Sequence, residues 1–145
     1  MSERDPGLYG TDELAVSLLQ DAELWAVVGL GTDPDKAAYR VAQVLINKGK
    51  RVVAVHPRGE SVLGQPGFKT LAEAVAAVGV PDVVDCFVSS GRVGSVVDDA
   101  IAVGAKAVWM QLEIIDEAAA ARAKAAGIPV IMDRCPAIEW PRLLG

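Results

Sequence analysis

The chain predicts an α/β fold of the doubly wound type, a parallel sheet covered by helices on both faces and built as a single domain. Three observations carry that expectation. Short β-branched runs alternate with segments of helical periodicity from residue 24 onward. The runs are apolar at consecutive positions, as in strands buried on both faces. Glycine or proline punctuates the junctions between them.

The elements follow in order. Asp12 to Asp21 carries Leu14, Leu18 and Leu19 at helical spacing and reads as a short helix in an N-terminal extension, residues 1–23, ahead of a main domain at 24–145. Leu24 to Leu30 (LWAVVGL) is the first strand. Lys36 to Lys48 sets Ala38, Val41, Ala42, Leu45 and Ile46 on one helical face, with Gly49 at its C-terminal cap. Arg51 to His56 is the second strand, closed by Pro57, which cannot continue a central strand. After a loop from Gly59 to Gly67, Thr70 and Glu73 stand at capping-box spacing before a helix that runs through Val78. Val83 to Val88 is the third strand; Val93, Val96, Val97, Ala100 and Ile101 line the next helix, which stops at Gly104. Ala107 to Leu112 is the fourth strand. A helix then opens on Asp116 and Glu117, carries Arg122 and Lys124 late and ends at Gly127, before a fifth strand at Val130 to Met132. Right-handed crossovers make this a Rossmann-like, five-stranded parallel sheet with the expected order 3-2-1-4-5.

Length and composition agree. The 145 residues suit one domain, and 52% apolar with 5% aromatic content suits small helices packed on a buried sheet. Nineteen acidic against fourteen basic residues, a net charge of −5, offer no general attraction for nucleic acid or an anionic membrane. Met1 to Gly10 lacks the basic-then-apolar pattern of a secretory signal, and no apolar run reaches the ~18 residues of a membrane span. Cys86 and Cys135 form neither a disulfide framework nor zinc-ligand spacing. A cytoplasmic location is the expectation.

In such a sheet, ligands sit beyond the carboxyl ends of the strands at the switch point, expected here between strands 1 and 4. That confines the chemistry to Gly29–Lys36, His56–Arg58, Val88–Arg92, Gln111–Glu113 and Asp133–Pro136. Gly29 and Gly31 let backbone approach a phosphate at the start of the first crossover helix; Pro34 replaces the third glycine of a dinucleotide fingerprint. The second strand ends in His56, Pro57 and Arg58 where an NAD-binding fold offers an acid, which suits a phosphorylated ribose instead. Lys36 and Arg40, one turn apart, extend the basic cluster. Gln111 shares a strand face with Trp109 and is placed to bond a ligand amide. Cys135 reads as a small buried side chain, with a reactive thiol as the alternative.

The stretches VVGLGTDPDKAAYRVAQVL (27–45), VHP (55–57), VVDCF (83–87), WMQLEI (109–114) and MDRCP (132–136) resemble the small stand-alone CoA-binding proteins related to the nucleotide-binding domain of the succinyl-CoA synthetase α subunit. The resemblance spans nearly all of the chain beyond residue 20. It implies coenzyme A or an acyl-CoA as ligand, with the pyrophosphate on the loop after strand 1 and the adenine near the end of strand 3. It also implies roles for Gly29, Gly31, Thr32, Lys36, Tyr39 and Arg40, for Pro57, and for Phe87, Val88, Ser89 and Ser90. The chain departs from that family's usual residues at Gly31 (often Ser), His56 (often Asn), Val88 (often Arg) and Glu113 (often Gly). No catalytic residue and no metal ligand is expected, since neither a nucleophile–base pair nor ligand spacing is present. An NADP-dependent oxidoreductase acting as an oligomer is the second expectation. A regulatory module is the third, with a homodimer or an acyl-CoA-using enzyme as partner.

Overall fold

A computed structural model describes residues 4–145 of the chain. The sheet has six parallel strands: β1 (Leu24–Val28), β2 (Arg51–Val55), β3 (Gly67–Phe68), β4 (Val83–Cys86), β5 (Val108–Met110) and β6 (Val130–Ile131), in the order β3-β2-β1-β4-β5-β6. The doubly wound class is as the sequence predicts, but the strand count and the order differ. The two-residue strand β3 takes the outer place beside β2. The run beginning at Val83 therefore pairs directly with β1, Trp25 opposite Val83 and Val28 opposite Cys86. The switch point consequently lies between β1 and β4, so the end of β4, at Phe87, faces the loop after β1.

The described residues also form seven helices: α1 (Pro6–Tyr9), α2 (Asp12–Asp21), α3 (Ala37–Asn47), α4 (Leu71–Val78), α5 (Ser90–Val103), α6 (Glu117–Ala125) and α7 (Pro136–Leu144). Two core layers flank the sheet. On one face Ala26, Val28, Val53, Cys86, Val108 and Met110 pack under α4, α5 and α6; on the other Trp25, Val27, Val52, Trp109 and Ile131 pack under α2, α3 and α7. All five residues of β1 are buried, as a central strand demands.

The local signals act as their chemistry dictates. Thr70 Oγ1 accepts the Glu73 N–H at 3.1 Å, while the Glu73 carboxylate reaches back to the Lys69 N–H at 3.2 Å. Asp116 accepts the Ala119 N–H at 2.9 Å and so starts α6. Helix α3 ends in a Schellman motif, with Lys50 N–H donating to Leu45 O and Gly49 N–H to Ile46 O, Gly49 taking the left-handed backbone (φ 84°) that the motif needs.

Residues 4–22 are joined closely to the sheet. Met132 N–H donates to Tyr9 O, and the Tyr9 hydroxyl donates to Glu117 at 2.6 Å. Leu19 is fully buried. Asp12 accepts from both Arg134 (2.8 Å) and Arg142 (2.7 Å), which bolts α2 onto α7. No helix among the described residues is long and apolar enough to cross a membrane.

Candidate functional site

A cleft of about 660 Å³ opens at the switch point. That volume is within the range of small-molecule and cofactor sites. Its floor is the turn after β1. Gly29 has φ 99°, and a Cβ placed there would lie 3.0 Å from Phe87 O, so the chain reverses against the end of β4 only because residue 29 lacks a side chain. Gly31 faces the imidazole of His56: a Cβ at 31 would meet Nε2 at 3.3 Å.

One wall is the start of α3. Lys36 occupies the N-cap position and supplies no side-chain cap. Among the described residues, the N–H groups of Ala37, Ala38 and Tyr39 have no protein acceptor. Such a helix start carries partial positive charge, and Lys36 adds a full one. Ala37 and Ala38, whose side chains are single methyl groups, line the cleft at this helix start. The opposite wall comes from the end of β2. Arg58 N–H donates to His56 Nδ1 at 3.2 Å, and Nε2 of the imidazole is turned toward Gly31. The exposed Arg58 guanidinium completes a basic rim, tempered by Glu60 at 3.9 Å.

The structure thus gathers Gly29, Gly31, Thr32, Lys36, His56, Arg58 and Phe87 around one cavity. It places the other predicted site residues elsewhere. Arg40 is turned away, its guanidinium donating to Asp35 O at 2.9 Å. Tyr39 packs into the α3 layer and Val88 into the opposite core layer. Pro57 and Ser89 are exposed outside the cavity; Ser89 is the N-cap of α5 but makes no side-chain cap. Ser90 is spent on the neighbouring loop, its hydroxyl donating to Glu113 O and accepting from Ile115 N–H. Gln111 is buried at the end of β5, two strands from β1. The cavity also includes Asp33 and Glu60, acids that sequence reasoning passed over. Their signal was their position, each within four residues of a predicted ligand-loop residue.

Three further groups bear on chemistry. Asp85 is fully buried in mid-sheet with both carboxylate oxygens unpartnered among the described residues, and burial raises its pKa well above the ordinary carboxyl value. Cys86 is fully buried, which pushes its thiol pKa up, so it is no nucleophile. Cys135 is buried at the start of α7 within the apolar layer. Among the described residues no cluster of metal-ligating side chains occurs. The cavity therefore offers backbone donors, an ammonium, an imidazole and a guanidinium around a strand–turn–helix, groups suited to an anionic, phosphate-bearing ligand, with the carboxylates of Asp33 and Glu60 in the same lining opposing that charge.

Residues 23–141 match the CoA binding domain family. The chain belongs to that family. This CoA-binding-type domain is similar to YneT of Bacillus subtilis (strain 168), with 29% identity over 118 residues, 81% of this chain and 85% of that protein. Among solved structures it is similar to a hypothetical protein from Pyrococcus horikoshii OT3, with 32% identity and a TM-score of 0.88, each chain covered in full. It is also similar to Prb, the PH1109 protein redesigned for binding, with 34% identity, a TM-score of 0.86 and 93% of each chain covered. The matched span takes in both walls of the cleft.

Proposed function

We propose that the chain is a binding module for coenzyme A or an acyl-CoA, held by its ADP moiety at the switch-point cleft with no reaction of its own. The observation that carries this reading is the uncapped start of α3 facing a basic end of β2 across one cavity. A pyrophosphate suits the first wall, and the 3′-phosphate of the ribose suits Arg58 and His56 on the second. Family membership supports the same ligand class. The domain would act inside the cell, where coenzyme A is found, either alone, as a homodimer, or beside an enzyme that uses acyl-CoA.

The basic end of β2 also suits the 2′-phosphate of NADP, so an oxidoreductase acting as an oligomer is the second reading. Thermal unfolding with coenzyme A, dephospho-CoA, NADP and NAD in parallel separates the two. A ligand at a hundred times its Kd stabilises by about 2.7 kcal/mol. The expected result is the largest shift with coenzyme A and a smaller one with dephospho-CoA. A larger shift with NADP would move the protein to the second reading, and no shift with any of the four would end both.

A further inference from the structure

An acid in the lining of a cleft that suits phosphates calls for a reason. Glu60 lines the same cavity as His56 and Arg58, and its carboxylate opposes the charge of any phosphate bound there. Its Oε1 lies 3.9 Å from Arg58 Nη1, near enough for attraction but too far for a hydrogen bond. With the two side chains 77% and 47% exposed, such a pair adds little to the stability of the fold. The guanidinium N–H groups and the carboxylate oxygens are therefore not spent on each other.

The backbone that carries the pair is held in place. Gly59 N–H donates to His56 O at 2.8 Å, which closes a turn over Pro57 and Arg58. His56 N–H donates to Phe68 O at 3.0 Å and ties the start of that turn to β3. The carbonyl of Glu60 rests against Gly67, where a Cβ would overlap it. The short strand β3 thus acts as a stop for residues 56–60. Arg58 and Glu60, two positions apart on this fixed turn, present opposite charges to one cavity.

A guanidinium beside a carboxylate is complementary to a phosphate beside a hydroxyl: the first donates to the phosphate oxygens, and the second accepts the hydroxyl proton. A ribose phosphorylated on one of two adjacent hydroxyls carries that combination. In coenzyme A it is the 3′-phosphate with the 2′-hydroxyl. We propose that Glu60 is a specificity residue that accepts the free 2′-hydroxyl of the ribose while Arg58 holds the 3′-phosphate. The inference rests on the coenzyme A reading above. An anion that brings a phosphate without the neighbouring hydroxyl meets the repulsion of Glu60 and gains no bond in return, so the acid selects by penalising the wrong ligand.

Titration calorimetry at one salt concentration with coenzyme A, 2′-deoxy-coenzyme A and dephospho-CoA tests it, on the wild-type chain and on Glu60→Ala. The substitution alters an exposed side chain and keeps the carbonyl that meets Gly67, so the variant should fold. The wild-type chain should bind coenzyme A about tenfold more tightly than its 2′-deoxy analogue, as expected of a hydrogen bond to a charged acceptor. Glu60→Ala should reduce that ratio below twofold. The same variant should widen the preference for coenzyme A over dephospho-CoA about threefold, because the charge of Arg58 is no longer offset. Equal affinity of the wild-type chain for coenzyme A and the 2′-deoxy analogue, or a tenfold ratio that survives in Glu60→Ala, would overturn the role of Glu60 while leaving the coenzyme A reading in place. Binding of none of the three ligands would overturn that reading and the inference with it.

Discussion

The imidazole of His56 occupies the space that a side chain at residue 31 would need. An ideal Cβ on Gly31 would sit 3.3 Å from Nε2 and 3.4 Å from Cδ2, and the ring is held there by the Arg58 N–H on Nδ1. The small residue and the large one are therefore a matched pair: each makes room for, or fills, the other. Gly31→Ser should cost about 1 kcal/mol of stability through crowding. Gly31→Ser combined with His56→Asn should recover most of that, giving a coupling in a double-mutant cycle. Urea unfolding of the four proteins measures it, and strictly additive costs would show that the two side chains do not compete for space.

Asp85 should make the protein lose stability as pH rises. Burial raises its folded pKa, so its contribution is fully present below the unfolded value, near 3.9, and is lost as pH climbs through the folded value. Between those limits the slope is about 1.4 kcal/mol per pH unit for this one group. Asp85→Asn removes the titration and should unfold at a higher temperature than wild type at pH 7, with the gap closing toward pH 4. Melting curves at pH 4, 5, 6 and 7 decide it; a gap independent of pH would mean that the carboxyl does not titrate in this window.

Glu113 holds φ 67° in the loop after β5, a left-handed backbone that costs a non-glycine residue roughly 1–2 kcal/mol. The loop is pinned there from two sides, since Glu113 N–H donates to Asp133 Oδ1 at 2.6 Å and Ser90 bonds the Glu113 carbonyl. Glu113→Gly keeps both backbone bonds and removes the Cβ clash, so it should raise stability by about 1 kcal/mol. A lowered urea midpoint would indicate that the glutamate side chain contributes more than its backbone costs.

Arg58 should read the ribose phosphate. Its guanidinium is exposed and weakly paired, so it is free to meet a ligand. Arg58→Ala should reduce coenzyme A affinity about tenfold, roughly 1.4 kcal/mol, and change dephospho-CoA affinity less than twofold. Equal losses for the two ligands would place the 3′-phosphate elsewhere.

Much of this architecture is legible from residue pattern alone. The α2 boundaries, the Thr70–Glu73 cap, the Asp116 start of α6 and the buried central strands follow from local periodicity and capping chemistry. Strand order is not local. It depends on which way a crossover turns, and here that is decided by Gly67–Phe68, two residues too short to show alternation within a glycine- and proline-bearing loop. The same limit applies around the cleft. Gly29, Gly31 and Lys36 are marked by their place between strand and helix. Arg40 and Tyr39 carry the right chemistry one turn further on, where helical rotation points Tyr39 into the core and Arg40 back onto its own loop. The orphaned oxygen of Gln111 has no signature in sequence, because being unpartnered is a property of what surrounds it.

Both outermost strands, β3 and β6, are two residues long, and beyond β6 the Met132 N–H is taken by Tyr9 O. A sheet with margins this short and partly sealed gives an incoming strand almost nothing to zip onto. Growth by strand addition, whether into fibrils or into a shared intermolecular sheet, is therefore disfavoured at both margins. A second protein that recognises it would then read helices and loops rather than a free sheet edge.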